Sequence, residues 1–228
     1  MDSRGTGLTL SLGILAAYIG YMIYQFTIGF DTKLDDVQTI LINTATDSTN
    51  IQIGTMLIVV GLTVHAAGLL NTRGTAPSTS ESLGIVCIVA AIVIWIANST
   101  VGLALSEMGE KFIAASSAND ASTAGIIGLS GGFIQSINVA ANILGGLLAG
   151  IGWVFMGIAY RRSDAKGAIS FIPLGWLALI QGLILLVVSF IINPLVSLET
   201  GSQISGVSFT LIVLWSISRG ITLIKEDK

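Results

Sequence analysis

The stretch ASTAGIIGLSGGFIQSINVAANILGGLLAGIGWVFMGIAY, residues Ala121 to Tyr160, contains no charged side chain. It lies between Asp120 and Arg161, and an uncharged, largely apolar segment of this length belongs in a lipid bilayer. We interpret it as one membrane-spanning helix that is entered through a glycine-rich segment, Gly125 to Gly132. It ends at the basic cluster of residues 161–166, which is typical of a cytoplasmic anchor.

Composition points the same way for the whole chain. The 228 residues are 53% hydrophobic and only 10% charged, whereas soluble domains carry about 25% charged residues. We therefore expect one transmembrane domain over residues 1–228. Ten basic residues and a net charge of −3 offer no surface for nucleic acid. No glycine loop with a following Lys-Ser/Thr is present, which excludes nucleotide binding of that type.

Six windows of about 20 apolar residues, the length that crosses a bilayer, recur along the chain. They are Leu8–Phe30, Ile51–Leu70, Leu83–Leu105, Phe133–Tyr160, Ala168–Ile192 and Ser205–Ile224. Backbone groups in lipid must be bonded within their own segment, so each window predicts a helix. The predicted fold is an all-α, polytopic membrane bundle of six transmembrane helices.

The basic residues predict the orientation of this bundle. Lys and Arg in short loops resist translocation. One side collects eight of the ten basic residues: Arg4, Arg73, Arg161, Arg162, Lys166, Arg219, Lys225 and Lys228. Only Lys33 and Lys111 fall on the other side. Both termini are therefore predicted to be cytoplasmic.

The connection after the first span predicts a short amphipathic outer helix. Thr32-Lys-Leu34-Asp35 has the form of a capping box, and apolar residues recur at helical spacing from Leu34 to Leu41. Such a helix would lie on the outer surface or against neighbouring helices. Further along, Glu107 to Ile113 is expected to continue a helix out of the membrane before a Ser/Ala/Asn loop begins.

Polar side chains inside the spans are the candidate functional residues, because lipid gives them no partners. Tyr18 and Tyr21 on the first span and Gln135 on the fourth belong to this group. The residues that could form a polar lining are His65, Asn98, Asn138, Asn142 and Gln181. The alternative is that they hold helices together by hydrogen bonds.

We favour the packing interpretation for the fourth span, because small residues follow its asparagines. They form two small-x-x-x-small pairs that let another helix approach closely: Gly145, Gly146, Ala149 and Gly150.

These residues give little support for an enzymatic function. No Asp, Glu, Lys or Arg is centred in a predicted span, whereas proton-coupled carriers normally need one. His65 is the single histidine and Cys87 the single cysteine. Haem, copper and zinc sites require more nitrogen or sulfur ligands. We expect no cofactor, no metal and no catalytic residue within this chain.

The layout of six spans, a long outer loop after the first and a glycine-rich fourth span ending in basic residues resembles prokaryotic six-helix membrane proteins of unknown function. A prokaryotic cell membrane is the location this resemblance implies. Our first hypothesis is a non-catalytic accessory subunit of a larger membrane complex, for example an oxidoreductase or monooxygenase, with membrane lipid and other integral subunits as partners. The alternative is a small channel or carrier for a neutral solute, and an enzyme acting on lipid ranks third.

Overall fold

The computed structural model describes residues 2–163, 165–168 and 173–226. Predictions that concern Asp164, residues 169–172 and Lys228 fall outside these ranges. Regular structure in the described residues is entirely helical. The helices are α1 (Ser3–Ile28), α2 (Val37–Thr46), α3 (Ser48–Asn71), α4 (Thr79–Ser117), α5 (Ala121–Tyr160), α6 (Leu174–Val187), α7 (Asn193–Leu195) and α8 (Leu198–Glu226), with a π-helical turn (Val188–Ile192) between α6 and α7.

Six of the helical segments are long and apolar enough to cross a membrane, which confirms the predicted number of spans. They are α1, α3, α4, α5, the segment Leu174–Leu195, and α8. The chain is an integral membrane protein. The fifth span differs from a plain helix because its backbone widens into the π-helical turn just before Pro194, which has no N–H to donate.

The six spans form a closed ring in chain order. Each span packs against the one before it, and α8 returns to pack against α1. One end of the ring holds both termini and the α3–α4 and α5–α6 connections, and we call it the termini end. The opposite end holds the other three connections, and we call it the hairpin end. Helices α4 and α8 stand opposite each other in this ring.

The helices α4 and α5 are much longer than the predicted spans. With 39 and 40 residues they measure about 60 Å each, roughly twice the hydrocarbon thickness. The glycine-rich segment predicted as a lead-in is therefore itself helical, and the predicted Ser/Ala/Asn loop shrinks to a turn at residues 118–120. Asn119 has a φ of 58°, and the Asp120 carboxylate accepts a hydrogen bond from the Thr123 amide at 3.0 Å. Hydrogen bonding to Thr123 holds the pKa of Asp120 below its usual range.

The predicted short helix exists as α2, but it starts later than the proposed capping box. Its N-cap is Asp36, whose carboxylate accepts from the Thr39 amide at 3.2 Å, whereas the Thr32 hydroxyl donates to the Ile28 carbonyl. The apolar face of α2 is buried against α4 and α5, where Leu41 packs with Leu105 and Phe112. This contact explains why the glycine-rich part of α5 stays helical outside the bilayer length.

Candidate ligand cavity

The interior of the ring holds a cavity of about 450 Å³. Side chains from α1, α3, α4, α5 and α8 line it, together with the segment that follows α1. It starts at the hairpin end and reaches His65, which lies roughly 25 Å along α3 from the start of that helix. A void of this size inside a membrane bundle is a candidate binding site, because close packing normally fills protein interiors.

The mouth of the cavity is polar and carries its only charged lining residues among those described. They are Asp31 and Lys33 after α1 and Glu199 at the start of α8. Gln25, Ser202 and Gln203 lie beside them. Water and ions can be accommodated at this level, because exposed charges keep their solvation.

Below the mouth, a row of side-chain amides crosses from α5 to α4. The Asn98 amide donates to the Asn138 side-chain oxygen at 2.7 Å, and Asn142 donates to the same oxygen at 3.0 Å. Asn138 in turn donates to the Gln135 side-chain oxygen at 3.0 Å, and Gln135 donates to the Leu34 carbonyl at 3.3 Å. Asn98, Asn138 and Asn142 also line the cavity, and the Asn98–Asn138 bond joins α4 to α5.

An aromatic contact spans the ring at the next level. Trp95 of α4 and Phe209 of α8 meet edge to face with centroids 5.3 Å apart, and Tyr21 of α1 meets Phe209 at 6.1 Å. Because α4 and α8 are opposite helices, this pair reaches across the interior rather than along a helix interface. We call it the aromatic bridge. It borders the cavity at the level where the polar upper part passes into the more apolar lower part.

The floor of the cavity is apolar except for His65. Its apolar walls are Ile14, Leu62, Ile88, Trp153 and Val213. The His65 ring is 1% exposed, and its Nδ1 lies 3.1 Å from the Leu10 carbonyl oxygen. A carbonyl oxygen only accepts, so Nδ1 carries the hydrogen and donates it. In the neutral ring Nε2 then holds a lone pair, and it has no partner among the described residues.

Aromatic packing closes the ring at the termini end. The Trp153 ring, which also lines the floor, meets Trp215 at 4.9 Å, and Trp215 meets Tyr160 at 5.3 Å. The Trp215 indole N–H donates to the Leu174 carbonyl at 3.1 Å, which fixes its ring against the start of α6. The cavity is consequently accessible from the hairpin end and blocked at the other.

A smaller side lobe of about 110 Å³ adjoins the main cavity. It lies between α5, the π-helical turn and α8, and it shares Tyr21, Asn138 and Phe209 with the main cavity. Ser189 and Asn193, which belong to or flank the widened backbone of the fifth span, face this lobe. The π-helical turn therefore shapes the cavity wall, as such turns often do at functional sites.

The other predicted site residues lie elsewhere. Gln181 is fully buried on α6 and does not line the described cavity; the Ser208 hydroxyl of α8 donates to its backbone carbonyl at 2.8 Å. Its side-chain amide has no partner among the described residues.

Two of the four small residues of α5 face different helices, Gly145 facing α4 and Gly150 facing α6. A Cβ built on Gly145 would overlap the indole Nε1 of Trp95 on α4, and one on Gly150 would lie 3.0 Å from Leu186 of α6. Gly146 lines the side lobe, with its nearest obstacle, the Ser189 hydroxyl, at 4.0 Å. Ala149 is fully buried. Gly145 thereby supports the aromatic bridge by giving the Trp95 indole room.

Sequence reasoning missed several lining residues, above all Trp95, Phe209 and Thr55. Aromatic residues in a span fit a lipid-facing position as well as an interior one, so their type gave no signal. One pattern in the sequence could have identified part of the lining. Tyr18, Tyr21 and Tyr24-Gln25 recur three or four residues apart and so share one face of α1, the face that the cavity occupies.

The arrangement can hold a molecule. Among the described residues no three His, Cys, Asp or Glu side chains are grouped as metal ligands. The lining instead combines amide groups, tyrosine hydroxyls, an aromatic pair and one imidazole, which together suit recognition of an uncharged ligand. No family model matches this chain, and no curated protein or solved structure is significantly similar to it.

Proposed function

We propose that this membrane protein binds a small uncharged molecule in its central cavity and acts as a carrier or channel for it. The observation that supports the proposal is the cavity of about 450 Å³ inside the six-span ring, open at the hairpin end. Charged lining residues occur only at the mouth in the described part of the chain, so a charged ligand would lose its solvation without gaining a counter-ion further in. A neutral ligand meets no such cost.

A second candidate is the accessory subunit of a larger membrane complex. It is favoured by an apolar stripe on α5 at helical spacing, formed by Ile126, Leu129, Phe133 and Ile137, whose exposed fractions run from 58% to 68%. The first part of this stripe lies beyond the length that a bilayer covers, because α5 is about 60 Å long. Apolar faces of this kind commonly contact other proteins.

Native mass spectrometry after extraction in mild detergent tests the first proposal against the second. We expect the wild-type chain to carry a small-molecule mass that is released by organic solvent. Asn142→Trp places an indole into the cavity, because Asn142 is a lining residue on the fourth span, and should reduce the bound fraction at least about tenfold.

The matched control is Ser136→Trp, which puts the same side chain on an exposed position of α5 outside the described cavity lining. This variant should keep the bound mass. Equal occupancy in both variants would contradict cavity binding. Constant-ratio association with unrelated membrane subunits, without any small-molecule mass, would establish the accessory role instead.

We further propose that both termini are cytoplasmic, in a prokaryotic cell membrane. The support is the distribution of basic residues, since the described members of the larger group lie at the termini end.

Cysteine labelling tests this orientation. In a Cys87→Ser background, Asp35→Cys at the hairpin end should react with a membrane-impermeant maleimide on intact cells, whereas Thr79→Cys at the termini end should react only after permeabilisation. Both positions are exposed. The reverse pattern would show that the orientation is inverted.

A further inference from the structure

The side-chain amides below the mouth leave a specific hydrogen-bonding surface unused. The Asn138 oxygen accepts from both Asn98 and Asn142, which fills its two lone pairs. No described group donates to the side-chain oxygen of Asn142, which is exposed and lines the cavity, whereas the Asn98 side-chain oxygen is buried away from the cavity and also has no partner among the described residues. Each of these two amides also keeps a second N–H. A hydroxyl group, which donates and accepts at once, complements such a pair, whereas an ether can only accept.

The space below these amides is lined mostly by apolar side chains, with His65 as the polar residue at its floor. From Asn98 to Ile88, which lies at the floor, α4 runs ten residues, or about 15 Å. Trp95 and Phe209 border this space at its upper end, and Ile14 and Trp153 at its lower end. No charged side chain among the described residues lines it. An extended apolar chain fits this part by burying its surface.

We infer that the ligand is a neutral, long-chain alcohol-type amphiphile whose hydroxyl donates to the Asn142 oxygen and accepts from the amide N–H groups of Asn98 or Asn142, and whose apolar chain points to the floor. This rests on the proposed cavity-binding function and specifies its ligand class. A hydroxyl can donate to the Asn142 oxygen as well as accept from an amide N–H, so it makes one hydrogen bond more than an ether at the same position. Selectivity for the hydroxyl follows directly.

Photolabelling of the full-length chain in phosphatidylcholine nanodiscs tests the inference. The probe is a 12-carbon primary alcohol with a diazirine at the far end of its chain, and the reference is its methyl ether with the same diazirine. After irradiation, mass spectrometry of peptides should find the alcohol on the floor residues Ile14, Ile88 and Trp153, about tenfold above the ether. Lipid-facing residues such as Leu12 and Ile53 should react equally with both probes.

Variants define the polar contact. The double variant Asn98→Leu/Asn142→Leu should lose the difference between alcohol and ether, whereas Asn50→Leu, an exposed position outside the described lining, should keep it. Size-exclusion profiles and circular dichroism identify any variant that fails to fold. Should the double variant fail, Asn142→Leu alone serves, because among the described residues the Asn142 side chain makes one hydrogen bond, to Asn138 on its own helix.

Each of four outcomes overturns the inference. Equal floor labelling by alcohol and ether would show that the hydroxyl is not recognised, and labelling near Glu199 and Ser202 would show the opposite orientation. If neither probe labels the floor while native mass spectrometry still finds a bound molecule, only the ligand class is wrong. If both experiments find nothing, the cavity-binding function fails as well.

Discussion

Replacing Gly13 by alanine should destabilise this protein strongly, although the change adds only one methyl group. Gly13 of α1 faces Gly61 of α3, and a Cβ built on Gly13 would lie 2.8 Å from the Gly61 carbonyl oxygen and 2.9 Å from the His65 Cα. Likewise, a Cβ built on Gly61 would lie 2.7 Å from the Gly13 carbonyl oxygen. These obstacles are backbone atoms, so the helices must separate. We expect a loss of about 1 to 3 kcal/mol, measured by thermal or SDS unfolding in detergent.

The control is Gly146→Ala, which adds the same methyl group to a buried glycine of another span. There the nearest obstacle is the Ser189 hydroxyl at 4.0 Å, and alanine favours a helix over glycine by about 1 kcal/mol. Gly146→Ala should therefore be neutral or stabilising. A loss of stability equal to that of Gly13→Ala would show that helix flexibility, rather than close α1–α3 contact, accounts for the glycines.

Separation of α1 and α3 would also reach the cavity floor. The His65 ring is held by its hydrogen bond to the Leu10 carbonyl, three residues from Gly13, so the same contact that sets the helix spacing orients the imidazole. Interhelical hydrogen bonds in membranes are usually worth below about 2 kcal/mol. The glycine contact thus contributes to the site mainly because it brings the Nδ1 of His65 within hydrogen-bonding distance of the Leu10 carbonyl oxygen.

The parts of the fold that depend on local constraints could be predicted from the sequence, whereas the parts that depend on long-range contacts could not. Charge-free windows identify spans because the cost of burying charge in lipid is local to each window. The extension of α4 and α5 to about 60 Å could not be predicted from these windows. It depends on α2 packing against both helices, as where Gly131 lets Val37 and Leu41 approach, and that contact joins residues about 90 positions apart.

The residues of the candidate site could likewise be predicted only in part. Asn98 and Asn138 could be singled out because polar groups in lipid require partners, and they turn out to bond to each other. Gln181 satisfies the same criterion yet lies between α6 and α8, because polarity alone does not reveal which interface a helix position faces. The aromatic bridge was inaccessible to sequence reasoning, since Trp95 meets Phe209 only when α4 and α8 stand opposite in a closed ring.

Glu81 is the second position where a large effect is expected, and it is a buried carboxylate near the end of the bundle. It is 1% exposed and accepts hydrogen bonds from the backbone amides of Gly74 and Ala76, each at 2.8 Å. Its own amide donates to the Ser78 hydroxyl, a Ser-x-x-Glu pattern that could have indicated this helix start. Glu81→Ala would leave the buried Ala76 N–H without an acceptor, and we expect a loss of about 3 kcal/mol in the free energy of unfolding.

Glu107→Ala is the matched control, because Glu107 lies on the same helix with a side chain 66% exposed and forms an i,i+4 pair with Lys111 at 3.0 Å. Removing an exposed pair of this kind should cost at most about 0.5 kcal/mol. Glu81→Gln retains one carbonyl oxygen as acceptor and should fall between the two. Equal unfolding of the Glu81 and Glu107 alanine variants would contradict a role for Glu81 in fixing the α3–α4 connection. A large difference would mean that one carboxylate at the termini end holds together the helices that carry His65 and Trp95.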